Sequence, residues 1–486
     1  MPCYPSHHPP KRLLRRFQDL MDRLGSCADG RFDAKKCLIS GKTRFPLPAK
    51  PVQLQLGEQK AKRLQLYPET RLNEQGALRQ TGALILEETG QKGIHGFLRL
   101  CPGDRLLLGR EETWQQDLLD YPKSVAKQHV KITFSPKGLI CKPLPHQATY
   151  LSPLPAEEDA LGNRAVRCKR LRRLLKLFGG PFAPLPKTEA LALIRAAIQQ
   201  MEREPHQVRD ARGRVGGLLE ITSDTIPFFI GDLHGRLDNL LVILTQNGFL
   251  EGLEQGTATL ILLGDAVHSD ESGREGEMDS SLLIMDFILR LKLRFPKQVF
   301  YLRGNHDGFS EEISKGGVPQ GLRWKEALHE TRGTKYVQAM DRLYEILPYF
   351  ALSKQFMACH AGPPTVKVSP DTLINIREHR RIVREVTHIR LRRPNSPTGY
   401  HQGEVKRLRR HLGLDRKTPF LVGHTPLSTD DTLWLQAGGI PHHHVLFGAH
   451  PHLIGTIALI GKRLLPLRYP TEPLVALGNR LMKGRK

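Results

Sequence analysis

Apolar residues along this chain are concentrated in short runs that stop abruptly at polar, glycine-bearing loops. Ile226–Ile230 (IPFFI) runs into Gly231–Gly235 (GDLHG), and Thr259–Leu263 (TLILL) into Gly264–His268 (GDAVH). Gln298–Leu302 (QVFYL) runs into Arg303–Asp307 (RGNHD). Runs of this length bounded by glycine predict buried parallel strands. The segments between them, Leu237–Gln246 and Ser281–Arg294, carry apolar residues at i, i+3, i+4 spacing and predict helices. Two later runs extend the series, FMAC before His360 and FLVG before His424. The polar loops are therefore expected just beyond the carboxyl ends of strands, where open α/β sheets bind ligands.

Elsewhere the pattern changes. From about 61 to 155 it breaks into closely spaced short strands (GALILEE, FLRL, DRLLLGR, HVKITF and GLICKPL), which predict a small all-β sandwich. Residues 41–60, weakly patterned and bearing Pro and Lys, read as a linker closing a basic amino-terminal segment, 1–60. Within it Leu13–Leu24 has the spacing of a basic amphipathic helix. Residues 156–220 read as a helical connector, with a basic helix over Arg167–Phe178 and a second one capped by Thr188 and reaching about Glu204. The α/β region is placed at 221–470, with 310–356 mostly helical, and 471–486 reads as a basic tail. The expected fold class is α/β: an α/β sandwich preceded by the all-β module and the helical connector.

Composition adds one strong feature. Among 486 residues, 73 Lys and Arg against 49 Asp and Glu give a net charge of +24, which favours anionic partners. Phosphorylated proteins, phosphorylated small molecules and nucleic acid all qualify by charge, but the basic helix lacks interleaved aromatics for stacking on bases. The seven cysteines are scattered without a CxxC, which argues against a disulfide framework or zinc ribbon and fits a reducing compartment. No signal-like h-region and no apolar run approaching ~20 residues is present, so a cytoplasmic chain without a membrane span is expected.

The loop residues point to the chemistry. Asp232, His234, Asp265, Asn305, His360 and His424 are oxygen and imidazole donors suited to Mn, Fe or Zn, with no thiolate among them. Five strand ends deliver them in order. A bridging carboxylate can hold two divalent or trivalent ions ~3.5–4 Å apart, where they acidify a shared water and clamp a phosphoryl group. Cys359, beside His360, ends a buried strand and is expected in the core. In Pro441–His452 (PHHHVLFGAHPH) the histidine run reads as a polar turn, with His450 the best placed to approach the site. Asn375–Arg416 is the most basic part of this region and lies between two ligands, so it should begin and end near the site.

With these motifs, residues 225–460 resemble the calcineurin-like metallophosphoesterases, and RGNHD resembles the RGNHE of the phosphoprotein-phosphatase branch. The resemblance implies that Asp232 and His234 bind one metal, that Asn305, His360 and His424 bind the other, and that Asp265 bridges them. It implies that His306 protonates the leaving oxygen and that Arg303 grips the phosphate, with Asp307 completing the catalytic loop. The branch normally continues its second loop as GDxVDRG, supplying an Asp that orients the catalytic His and a second phosphate-binding Arg. Here His268 and Ser269 stand in those places, with Asp270 and Arg274 further along the loop. The implied activity is two-metal hydrolysis of phosphate monoesters, as in a serine/threonine protein phosphatase. A nucleotide or dinucleoside-polyphosphate hydrolase and a phosphoprotein-binding scaffold with weak turnover are the alternatives. The stretch GDRLLLGR with SVAKQHVKI resembles a forkhead-associated domain, whose family binds phosphothreonine. Arg110 matches its Arg and His129 its structural His, while Ala126, Lys127 and Gln147-Ala148 replace its Ser, Arg and Asn-Gly.

Overall fold

The structure, a computed structural model, describes residues 37–483 apart from 40–41, 46–50, 59, 92, 112–117, 136–137, 154–159, 223, 394–395 and 397. The amphipathic segment Leu13–Leu24, with Cys3 and Cys27, lies outside the described residues. The chain divides into two compact units, Met1–Lys169 with Arg463–Leu467, and Arg170–Lys462 with Arg468–Lys486. No helix among the described residues is long and apolar enough to cross a membrane. Cys101, Cys141, Cys168 and Cys359 are free thiols.

The first unit is built on two antiparallel sheets. In space, the six-stranded one runs 37–38, 149–153, 52–56, 62–72, 78–88 and 97–100; the four-stranded one runs 43–45, 138–143, 130–135 and 105–108. Alternation is clear in Val130–Ser135, where Val130, Ile132 and Phe134 are buried and Lys131 is exposed. All five predicted strands are present. The linker reading of 41–60 is corrected: Thr43–Phe45 and Val52–Leu56 are strands, one in each sheet. Val52–Leu56 (VQLQL) alternates apolar and polar residues with Val52, Leu54 and Leu56 buried, and Gln55 is buried as well, its amide donating to Gly57 O at 2.9 Å.

The second unit is α/β. Three parallel strands, β1 (Ile226–Ile230), β2 (Ala258–Leu262) and β3 (Val299–Tyr301), form one side of a sheet in the order β3-β2-β1. Helices α1 (Leu237–Thr245) and α2 (Asp279–Arg294) connect them, as right-handed βαβ crossovers require. Every residue of β2 is buried, which is why the run shows no alternation. A seven-stranded sheet contains β4 (Met357–Cys359), β5 (Phe420–Val422) and β6 (His443–Leu446), mutually parallel. The strand after β6, β7 (Leu453–Ile460), returns to the first sheet and pairs antiparallel with β1. Phe229 of β1 meets Phe356, just before β4, with ring centroids 4.9 Å apart. Helices α3 (Gln320–Arg332) and α4 (Thr334–Ile346) supply the predicted helical stretch after RGNHD, and α5 (Arg380–His388) and α6 (Gln402–His411) lie in the basic region.

Three boundary expectations change. The connector does not stay helical to 220, because Gln207–Arg209 and Val215–Glu220 pair and join the seven-stranded sheet. Gly216 and Gly217 masked that strand in the sequence. They are there because a Cβ on Gly217 would lie 2.2 Å from the Ile376 side chain. The second connector helix is Lys187–Glu202, so Thr188 falls inside it and makes no cap. The basic tail is largely a helix, Leu474–Lys483, that buries Leu474 and Leu477.

Candidate metal centre

The five strand ends converge. The GDLHG, GDAVH and RGNHD loops leave β1, β2 and β3, while His360 and His424 follow β4 and β5. The loops are bonded to one another: Leu233 and His234 N–H both donate to Asp265 O at 3.0 Å, and Gly423 N–H donates to His360 O at 2.7 Å. Such tight turning shows in the backbone. His234, Asp265, His268 and His424 all adopt left-handed φ, between 44° and 69°. That conformation is uncommon outside glycine and concentrates at functional sites. Gly304 explains itself, since a Cβ there would lie 2.1 Å from Asp265 Oδ1.

Donor atoms of Asp232, His234 and Asp265 form one group, and those of Asp265, His360 and His424 another, each set within 4.8 Å of one another. Asp265 belongs to both. Asn305 joins the second group, its Oδ1 lying 2.9 Å from His360 Nε2. Each histidine gives its other ring nitrogen to a backbone carbonyl: His234 Nδ1 to His268 O (3.0 Å), His360 Nδ1 to Leu263 O (2.7 Å), His424 Nε2 to His388 O (3.1 Å). Outer partners of this kind fix the tautomer and aim the remaining nitrogen, here toward the shared carboxylates. Asp232 is held by the His424 N–H at 2.9 and 3.1 Å, and Asp265 Oδ1 by the His306 N–H at 2.8 Å.

The electrostatics fit cations. Burial pushes Asp232 up to about 6, aided by the charge of Asp265 and resisted by His360. Burial acts the same way on Asp265, but the facing His360 and His306 rings hold it well below the carboxylate range. On His360 burial is overcome by these two carboxylates, which raise it to about 9. Two fully buried acids so close together demand positive charge, and five oxygen and imidazole side chains plus an amide oxygen are a hard-to-borderline ligand set that supplies a place for it.

The remaining predicted residues separate by position. His306 is at the site: burial lowers its pKa to about 4, and its Nδ1 lies 3.1 Å from His268 Nδ1. His268 is fully buried, edge-on to Trp324, with its pKa pushed well down by burial and its Nε2 without a partner. Asp307 faces inward. Its Oδ2 accepts from Gly304 N at 2.7 Å and Asp265 N at 3.3 Å, and its Oδ1 accepts from the Tyr301 hydroxyl, which itself accepts from Ala266 N at 3.0 Å. Arg303 turns to Tyr344 O (3.0 Å) and the Tyr349 hydroxyl (2.9 Å). Asp270 pairs loosely with Arg236, and Arg274 with Glu271 and Glu277, so neither partners His306. His450 closes a turn with backbone partners only and joins neither donor group, and His443 and His444 are buried on β6 rather than in a turn. Cys359 is buried in the core as expected, bonded to Gly362 O. Tyr301 and the carbonyls of Leu263, His268 and His388 were not foreseen. Only Tyr301 had a signal, a polar-tipped residue one position from the end of its apolar run.

Comparison with known proteins covers the same segment. Residues 228–453 match the family model of calcineurin-like phosphoesterases. The chain is 27% identical over 203 residues (40% of this chain, 28% of the relative) to serine/threonine-protein phosphatase with EF-hands 1 of Rattus norvegicus. It is 30% identical over 133 residues (27% and 18%) to serine/threonine-protein phosphatase rdgC of Drosophila melanogaster. With the serine/threonine-protein phosphatase 4 catalytic subunit of Kluyveromyces lactis it shares 30% over 168 residues (34% and 46%). The chain thus spans less than a third of the length of the first two of these relatives. A solved serine/threonine phosphatase of Saccharomyces cerevisiae aligns over 59% of this chain and 90% of its own, at 16% identity and a TM-score of 0.44.

Proposed function

We propose, on the premise that residues 228–453 are a calcineurin-like phosphoesterase domain of the phosphoprotein-phosphatase branch, that this chain hydrolyses phosphate monoesters on serine or threonine of phosphoproteins. The observation that carries the reading is the pair of donor groups sharing Asp265. Asp232, His234 and Asp265 would hold one metal, and Asp265, Asn305, His360 and His424 the other, with Mn, Fe or Zn suited to the donors. When bound, the metals supply Lewis acidity to the phosphoryl oxygens and make the attacking water more acidic.

The chain's own residues do the rest. The His268–His306 contact joins two Nδ1 atoms, so one ring must donate and the other accept. To protonate a departing alkoxide His306 must be the imidazolium, so its Nδ1–H donates to the bare Nδ1 of a neutral His268 and its Nε2–H is the proton delivered. His268 thus orients His306 without giving it a counter-charge, which supports a more acidic His306 than an Asp would. Asp307 and Tyr301 act as positioning residues, tying the loop of Asp265 to the loop of Asn305. Arg303, once free of Tyr349, can offer two parallel N–H groups to phosphate.

The test is turnover of p-nitrophenyl phosphate and a phosphothreonine peptide by chelator-stripped protein, before and after adding Mn²⁺. Activity should depend on the metal. Asp265→Asn should remove nearly all hydrolysis and drop metal content well below two per chain; full activity in that variant would end the two-metal reading.

A further inference from the structure

A cavity of about 1070 Å³ in the second unit has Arg303 and His388 in its wall. Both tie it to the metal centre: Arg303 opens the RGNHD loop, and the His388 carbonyl accepts from the ligand His424. The cavity is basic. Seven arginines and five acidic residues line it, but four of the acids are already spent on two of the arginines. Arg342 pairs with Glu202 and Glu345, and Arg214 with Asp210 and Glu378. The guanidiniums of Arg303 and Arg377 lie 5.6 and 5.5 Å from the same Tyr349 ring, and their hydrogen bonds go to carbonyls and the Tyr349 hydroxyl. Among the described residues neither has a carboxylate partner. The side chains of Arg380 and Arg384 have no hydrogen bond or ion pair among the described residues, and both are exposed.

The arrangement is directional. Arg380, Arg384 and His388 stand at i, i+4 and i+8 on α5, so all three face the cavity from one side of the helix, which ends at the metal centre. A helix rises ~1.5 Å per residue, placing Arg384 and Arg380 about 6 and 12 Å up the axis from His388. An extended peptide advances ~3.3 Å per residue, so these steps correspond to about two and four residues.

We propose that this cavity is a second anion subsite, binding a carboxylate carried two to four residues from the phosphorylated residue of an extended peptide. The inference rests on the phosphatase reading and narrows its substrates to acidic phosphopeptides. The volume lies at the top of the ~300–1,000 Å³ range of small-molecule sites and leaves room for a segment of peptide chain. The guanidinium fork matches a carboxylate in two parallel hydrogen bonds.

The experiment compares kcat/KM of the full-length, Mn²⁺-loaded protein on two phosphothreonine peptides. One carries Glu at the second to fourth positions on each side of the phosphothreonine, and the other Gln at the same places. The acidic peptide should be preferred by about tenfold, and the preference should vanish in Arg380→Glu/Arg384→Glu and shrink in Arg384→Gln. Equal rates on the two peptides, or a preference that survives the double change, would overturn the subsite. Hydrolysis of p-nitrophenyl phosphate, measured alongside, reports on the phosphatase reading separately. If that hydrolysis is missing, fluorescence anisotropy with the two labelled peptides decides the subsite by the same comparison.

Discussion

Replacing Tyr301 by phenylalanine removes one oxygen from the clamp beneath the metal centre. That oxygen does two things: it donates to Asp307 and accepts from Ala266 N–H at 3.0 Å. All three residues are at least 94% buried, so water cannot take its place. Burial and the charge of Asp265 raise the Asp307 pKa to about 6, so at neutral pH it is mostly ionised and its bond from Tyr301 is charge-assisted. Losing such a bond costs ~1.5–3 kcal/mol, and stranding the Ala266 N–H costs ~1–3 kcal/mol more. The phenyl ring still fills the site, so no cavity term is added. The expected loss is therefore about 3–5 kcal/mol, a large part of the ~5–15 kcal/mol that holds a typical domain together. Urea unfolding followed by tryptophan fluorescence, with slope and midpoint fitted together, measures it. Because Asp307 also bonds the backbone of Asp265, metal content should fall in the same variant. A loss below about 1 kcal/mol with full metal content would show that the clamp neither stabilises nor positions the loop.

Other expectations are more local. Arg332 and Asp286 form a buried pair with two hydrogen bonds of 2.6 Å; Asp286→Asn leaves the guanidinium uncompensated and should cost ~3–5 kcal/mol in the same urea assay. His443 is buried between Tyr400 and Phe420, and burial lowers its pKa to about 3, so below pH ~6.5 the unfolded chain takes up a proton that the folded chain refuses. Stability should thus fall by about 1.4 kcal/mol per pH unit from pH ~6.5 toward 3 on its account, and His443→Asn should flatten that slope in melts run across pH. In the first unit Arg110 Nε already donates to Val125 O, and Ala126 offers no hydroxyl. Phosphothreonine peptides should therefore bind there no tighter than ~0.1 mM, and a micromolar titration that weakens on Arg110→Ala would contradict this.

The convergence of the candidate donors was legible because each loop is announced twice, by an apolar run that must be a strand and by a glycine whose missing Cβ lets two loops cross, as at Gly304 against Asp265. The five strands named in the first unit were legible for the same reason of pattern. Val215–Glu220 was not, since its paired glycines trade side-chain hydrophobicity for close contact with Ile376. The direction of Arg303 was not legible either, because it depends on Tyr344 and Tyr349, 41 and 46 positions away. The carbonyl partners of the histidines have no sequence signature at all. A cavity assembled from segments around 202–214, 303–312, 342–349 and 374–388 is likewise invisible until those segments meet.

The return of β7 to the first sheet has a consequence for the order of events during synthesis. Asp232, the earliest of the candidate ligands to be made, is braced by the N–H of His424, and its strand β1 is flanked by β7, which leaves the ribosome more than two hundred residues later. Asp232 therefore gains its brace, and β1 its second neighbour, only when the chain has been made through β7, although Asp232, His234 and Asp265 are all present long before. Assembly of this corner of the candidate centre is thereby a late event in synthesis of the unit.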